Sequence, residues 1–189
     1  MGNALLKSHE KFTQSEYLAW EERQTERHFY VAGEIYSMAG GTAEHNSIAG
    51  NAFSMLRQHL KGAPCKTFIG DMRVQVALAD AYFYPDVVVS CDANDVSDPK
   101  ISTITAPVLI VEVLSPSTAS YDRGQKFAAY RTLDSLKEYV WLDPELKTVD
   151  VFYKNSAGVW ELHASAVATD IVKLRSVDWA GELGVFFEN

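Results

Sequence analysis

Val108-Leu109-Ile110-Val111-Glu112-Val113-Leu114 is the most apolar run of the chain, bounded by Pro107 before it and Ser115-Pro116 after it. A continuous β-rich run of this length reads as a strand buried on both faces of a sheet. Glu112 is the exception within it. An ionised carboxylate in such a strand costs roughly several kcal/mol unless hydrogen-bond donors or a cation compensate it. A bound metal ion is one such cation, and an arginine or a helix N-terminus inside the core is another.

The segments on either side extend the pattern. Residues 115–118 offer caps for a helix over about 120–132, and residues 138–142 read as a strand stopped by Asp143-Pro144. Upstream, strands are expected over residues 72–78 and 82–90, separated by a turn at Asp80, with Pro85-Asp86 interrupting the second. Residues 92–100 read as a polar surface loop. Thr13-Gln14-Ser15-Glu16 has the spacing of a capping box for a short helix to about Gln24. Residues 28–31 and 34–38 form a hairpin around Ala32-Gly33, and apolar positions recur at helical spacing from Thr42 to Leu60 before Gly62 and Pro64. Beyond the strand at 138–142, a hairpin is expected from residues 149–153 and 159–163. A strand near 171–174 then leads to an aromatic segment over 179–187.

With 189 residues, 47% of them hydrophobic, the chain can bury a core of its own and reads as a single domain. Charged residues precede any long apolar stretch and no run approaches the ~18 apolar residues of a membrane helix, which implies a cytoplasmic protein. Cys65 and Cys91 lack metal-ligand or redox spacing and read as two buried thiols. The net charge of −8 argues against a generic nucleic-acid binder, since Lys and Arg supply most phosphate affinity. Contact with nucleic acid then requires a local basic patch, for which Arg123, Lys126, Arg131 and Lys137 are the candidates.

Asp86 follows Pro85 and precedes Val87-Val88-Val89, so a second acid stands at the mouth of a second apolar strand. Two strand-borne carboxylates can converge as oxygen ligands for a hard cation such as Mg²⁺, although an exposed turn aspartate after proline fits the same residues. Asp122, Lys126 and Tyr130 are spaced four apart and share a helix face, from which Lys126 can reach the acids. A plain Asp122–Lys126 helix pair is the simpler reading.

Pro85-Asp86, the stretch from Glu112 to Thr118, then Asp122, Lys126 and Tyr130, then Glu138 to Pro144 together resemble the PD-(D/E)XK nuclease superfamily, and within it the Uma-type restriction endonuclease-like family. The resemblance implies an α/β (α+β) fold, a restriction endonuclease-like αβββαβ core with a central mixed sheet flanked by helices. It divides the single domain into a helical lead-in (1–26), a nuclease core (27–144) and a C-terminal β extension (145–189). It also implies a Mg²⁺- or Mn²⁺-dependent endonuclease hydrolysing phosphodiester bonds, with DNA the expected substrate, RNA left open, and a homodimer as the expected assembly. Asp86, Glu112 and the Val113 carbonyl would hold the metal. The superfamily lysine position is occupied here by Leu114, and the resemblance places the lysine on the next helix, at Lys126, with Tyr130 nearby. Glu34 matches an early acid of the family and would reach the metal through water. His45 on the first long helix can approach the site, although a core or surface histidine is the simpler reading. Two rival roles fit the same sequence: a catalytically silent binding module, and a structural dimer joined through Trp179, Phe186 and Phe187.

Overall fold

The structure, a computed structural model, describes residues 11–38 and 40–188. Helix α1 (Gln14–Glu21) starts at the capping box: Glu16 N donates to the Thr13 hydroxyl and the Glu16 carboxylate accepts from Thr13 N at 2.8 Å. Strands β1 (His28–Val31) and β2 (Glu34–Ser37) form the hairpin, with Ala32 at φ 49° and Gly33 at φ 92° in the left-handed turn between them. Helix α2 (Ala43–His59) is capped by Thr42 and buries Ile48, Ala49, Ala52 and Leu56, the stripe its spacing predicts. There follow β3 (Lys66–Ile69), β4 (Arg73–Val76), β5 (Ala81–Phe83), β6 (Val87–Ser90), a short helix α3 (Ala93–Val96), β7 (Thr103–Ile104) and β8 (Pro107–Val113). A helical segment over residues 119–130, α4, leads to β9 (Glu138–Asp143), β10 (Thr148–Lys154), β11 (Trp160–Ser165), β12 (Ile171–Leu174) and β13 (Trp179–Glu182).

The main sheet has the order β11-β10-β9-β8-β6-β3, and its central pair, β8 with β9, is parallel while the other pairs are antiparallel. This is the expected mixed sheet. β8 is buried on both faces, and the two faces differ. Leu109, Val111 and Val113 pack with α2 and the C-terminal strands, while Ile110 and Leu114 pack with Phe127, Tyr130 and Tyr139. Side chains alternate along a strand, so Glu112 faces α4. A second sheet, β2-β1-β5-β4-β7, packs its Val74, Val76 and Phe83 into that same face.

The strand expected over residues 82–90 is in fact two strands in different sheets. The chain leaves the second sheet after β5, turns at Tyr84-Pro85-Asp86, and enters the main sheet as β6. Proline suits the crossing because it has no ladder N–H to leave unpaired. β3 and β7 are additions to the expected elements, and the loop at 92–100 contains α3.

Cys65 and Cys91 are not two buried thiols. They flank the paired residues Lys66 and Ser90 of β3 and β6, their Cα atoms lie 3.9 Å apart, and they form a disulfide, with Cys91 exposed. The bond fastens an edge strand to the main sheet. For its separation of 26 residues, chain entropy sets its contribution at about 3.5 kcal/mol. Replacing both cysteines by serine should therefore lower the unfolding free energy by about 2–4 kcal/mol in a denaturant titration.

The C-terminal aromatics do not form an exposed patch. Phe186 is 1% exposed, its ring lies 5.7 Å from that of Trp179, and both, with Phe187, pack on the core that α2 covers. Trp179 and Phe187 stay partly exposed, while Phe186 is buried within the chain. Glu138, fully buried at the start of β9, accepts from Arg175 N at 2.7 Å and Ser176 N at 2.9 Å, and so ties the turn after β12 to the main sheet. No described helix is long and apolar enough to cross a membrane.

Candidate active site

The parallel pair β8–β9 leaves the C-terminal end of β8 beside the N-terminal end of the antiparallel β6, because Val87 pairs with Val111. Asp86 and Glu112 are brought together by that register. The Asp86 carboxylate accepts from Val113 N at 2.7 Å, which locks it onto the end of β8 next to Glu112. Asp86 sits in the bend just before β6 and lines the same cavity as Glu112.

Lys126 comes down from α4 onto that face. Its Nζ lies 2.7 Å from Glu112 Oε1 and 3.4 Å from Asp122 Oδ1, and it is 8% exposed. The helix is not regular there: residues Asp122–Lys126 form a π-helical stretch between α-helical turns at Ala119–Tyr121 and Phe127–Tyr130. Wide turns of this kind concentrate at functional sites. The Tyr130 hydroxyl donates to Glu112 Oε1 at 3.4 Å, a long bond that orients more than it stabilises.

Glu112 is thus satisfied by a lysine and a tyrosine, and the balance of charge is what sets the cluster apart. Glu112 and Asp122 share the Lys126 ammonium, and Asp86 adds a third negative charge nearby. Burial pushes the Glu112 carboxyl up to about 8, Lys126 opposes that rise, and the negative charges of Asp122 and Asp86 add to it. For Lys126, burial disfavours the charge, but Glu112 and Asp122 outweigh it and hold the amine above the ordinary lysine value. The cluster is short of positive charge.

His45 lies at this site, the less favoured of the two readings its sequence position allows. Thr42 caps α2 through His45 N at 3.1 Å, which sets the imidazole in the first turn with Nε2 3.4 Å from Asp86 Oδ2. The bond to Asp86 raises the pKa of the ring against the effect of burial. Nothing in the periodicity of α2 separates this histidine from an exposed one, because its position depends on a long-range packing of helix on sheet. Asp122 reads in the sequence as half of a helix pair, and it too faces the cluster. Glu34 does not. It is exposed on β2, its carboxylate accepts from the Tyr36 hydroxyl at 2.5 Å, and it is not among the residues lining the cavity.

That cavity, about 460 Å³, opens over the cluster. Asp86, Glu112, Asp122, Lys126 and His45 line it together with Phe29, Phe83 and Tyr121, and the loops at 40–42 and 115–118 complete it. Each of the four candidate basic residues has a partner within the chain. Arg123 pairs with Asp143 at 3.0 Å, Arg131 lies over the Phe127 ring, Lys137 donates to the Asp134 carbonyl, and Lys126 is in the cluster.

A mixed sheet with acids gathered at the end of its central strands, backed by a helical lysine, defines a restriction endonuclease-like fold. The structure is similar to that of a solved protein of Anabaena variabilis described as a putative nuclease belonging to DUF820, with a TM-score of 0.75 at 17% identity, over 93% of this chain and 97% of the other. The chain belongs to the family described as Uma2, putative restriction endonuclease, whose sequence pattern matches residues 14–180. It is 37% identical over 177 residues to the uncharacterized protein slr1290 of Synechocystis sp., covering 94% of this chain and 92% of that protein. It is also 37% identical over 150 residues to sll1609 of the same organism, over 79% of this chain and 85% of the relative.

Proposed function

We propose that the protein is a divalent-metal-dependent nuclease that hydrolyses phosphodiester bonds of nucleic acid, with DNA the favoured substrate. The observation that carries this reading is the cluster itself: three carboxylates lining one cavity, two of them paired with a buried lysine. An ion pair that served only the core would need one acid and no cavity.

The donor set suits Mg²⁺ or Mn²⁺. Among the described residues no group of three or more His, Cys, Asp or Glu side chains is arranged to hold an ion alone. Mg²⁺ binds through one or two carboxylates plus substrate phosphate and waters rather than in an all-protein cage, so two acids are the protein ligands it would need. Asp86 and Glu112 would hold the ion, with the Val113 carbonyl as a third oxygen. When bound, the cation supplies Lewis acidity toward the phosphate and lowers the pKa of an attacking water.

The chain's own residues supply the rest. Val113 N fixes the orientation of Asp86, and Tyr130 and Lys126 fix that of Glu112. Lys126, held charged by its acidic neighbours, stabilises negative charge developing on the phosphate. Asp122 keeps the ammonium aimed at Glu112. The apolar face behind the cluster excludes water and strengthens each of these interactions. A cytoplasmic setting belongs to this proposal, and the Cys65–Cys91 bond is the feature a reducing compartment would open.

Metal binding tests the reading independently of turnover. Calorimetric titration with Mn²⁺ should show binding by the native chain, and a concentration about 100-fold above Kd should raise the unfolding free energy by about 2.7 kcal/mol. Asp86→Asn combined with Glu112→Gln should abolish both signals. Heat release and thermal protection that persist unchanged in that double variant would rule out this metal site.

A further inference from the structure

Resting on the nuclease reading, we infer that the substrate enters the site as an unpaired nucleotide of a single strand, with its base against the Phe29–Phe83–Tyr121 wall and its phosphate toward Asp86 and Glu112. Several observations converge on this.

The reactive groups are deep. Glu112 is 4% exposed and Lys126 8%, so a phosphate must enter the cavity to meet them. A volume of about 460 Å³ falls in the range of small-molecule pockets, about 300–1,000 Å³, and suits one nucleotide rather than the breadth of a duplex. Enzymes that act on a buried atom of a duplex must first extrude the nucleotide, a cost that a strand already unpaired does not carry.

The cavity has an aromatic lining, and its Phe83 ring lies 5.9 Å from Lys126 Nζ. The Tyr121 ring lies 5.5 Å from that of Phe29 and 6.4 Å from that of Phe83, and Tyr121 is the partly exposed member of the three. It is on the helical turn immediately before the π-helical stretch that carries Asp122 and Lys126, so one element sets both the base platform and the lysine. Aromatic stacking is the sequence-tolerant way to hold an unpaired base, because every base presents a π-face.

The charges around the cavity disfavour a duplex. Among the described residues, Glu44, Asp86, Glu112, Asp122 and Glu145 line it together with one lysine, Lys126, and His45. Lys147 is bonded to Glu44 at 2.7 Å and Arg123 to Asp143 at 3.0 Å. Duplex binding draws on an array of lysines and arginines tracking two phosphate backbones. A site of this charge takes one phosphate by way of a metal ion and gains the rest of its affinity from the base.

The test is a fluorescence-anisotropy titration of the full chain, with Ca²⁺ in place of Mg²⁺. The probes are a labelled 12-nucleotide single strand and the blunt duplex of the same sequence. The single strand should bind about tenfold or more tightly, Tyr121→Leu should remove most of that preference, and Tyr121→Phe should retain it. Equal or tighter binding of the duplex, no binding of either probe, or a preference that survives Tyr121→Leu would overturn the inference. Nicking of a supercoiled plasmid with Mg²⁺, measured in parallel, reports on the nuclease reading separately. Nicking together with duplex preference would retain the nuclease and remove the unpaired substrate.

Discussion

Lys126→Ala is expected to lower the turnover number for phosphodiester cleavage by about 10²–10³-fold, the loss typical of removing one preorganised donor to developing negative charge. The ammonium is within 2.7 Å of Glu112, and its charge is secured by two carboxylates against the effect of burial. The substitution leaves Asp86, Glu112 and Asp122 with no neutralising side chain except His45, so the residual cluster should recruit metal more readily, not less. The expected pattern is thus a fall in kcat with KM for the nucleic acid little changed, and Mn²⁺ affinity by calorimetry retained or tightened. Lys126→Arg should recover little, because a planar guanidinium cannot occupy the position of a compact ammonium lodged between two acids and the Phe83 ring. A kcat within twofold of the native value in Lys126→Ala would show that the lysine serves the core and not the chemistry.

The placement of Lys126 also shows how far a sequence can be read here. Glu112 and its strand are legible because one unbroken apolar run demands burial on both faces, and a carboxylate within it demands a partner. Lys126 and Tyr130 are legible because helical spacing puts them on one face of the element that follows. Asp86 is legible as a second acid at a strand mouth, but the reason it meets Glu112 is the register of Val87 with Val111, which no local pattern encodes. His45 and the Cys65–Cys91 bond depend on contacts between segments distant in the chain. They carry no periodic signal, and a lone histidine or cysteine looks the same wherever the fold takes it. The division of residues 82–90 between two sheets is intermediate: Pro85 announces an interruption, while the change of sheet follows only from packing.

Asp95 makes the same point in energetic terms, and its replacement should have the largest effect on stability away from the cluster. The residue lies in the acidic stretch that reads as a solvated loop, yet it is 2% exposed. Its carboxylate accepts from the Ser90 hydroxyl at 2.8 Å, Thr105 N at 3.0 Å, the Thr105 hydroxyl at 3.0 Å and Ala106 N at 2.9 Å. One side chain therefore closes the whole excursion between β6 and β8, the two strands whose ends present Asp86 and Glu112. Hydrogen bonds to a charged group contribute about 1.5–3 kcal/mol each, and a buried donor left without a partner costs about 1–3 kcal/mol. These terms are not additive, and some donors will find water once the loop relaxes. Asp95→Ala should destabilise the fold by about 3–4 kcal/mol, lowering the melting temperature by roughly 6–16 °C for a chain of this size. Asp95→Asn should cost less, because one acceptor oxygen remains while its amide group confronts donors. Since Val87–Val111 pairing holds the active end of the two strands independently of the loop, Mn²⁺ affinity at temperatures where the variant is folded should stay within a fewfold of the native value. Loss of metal binding in a folded Asp95→Ala chain would instead mean that the loop closure extends to the site, and that the cluster is set by the whole β6–β8 unit rather than by its open end.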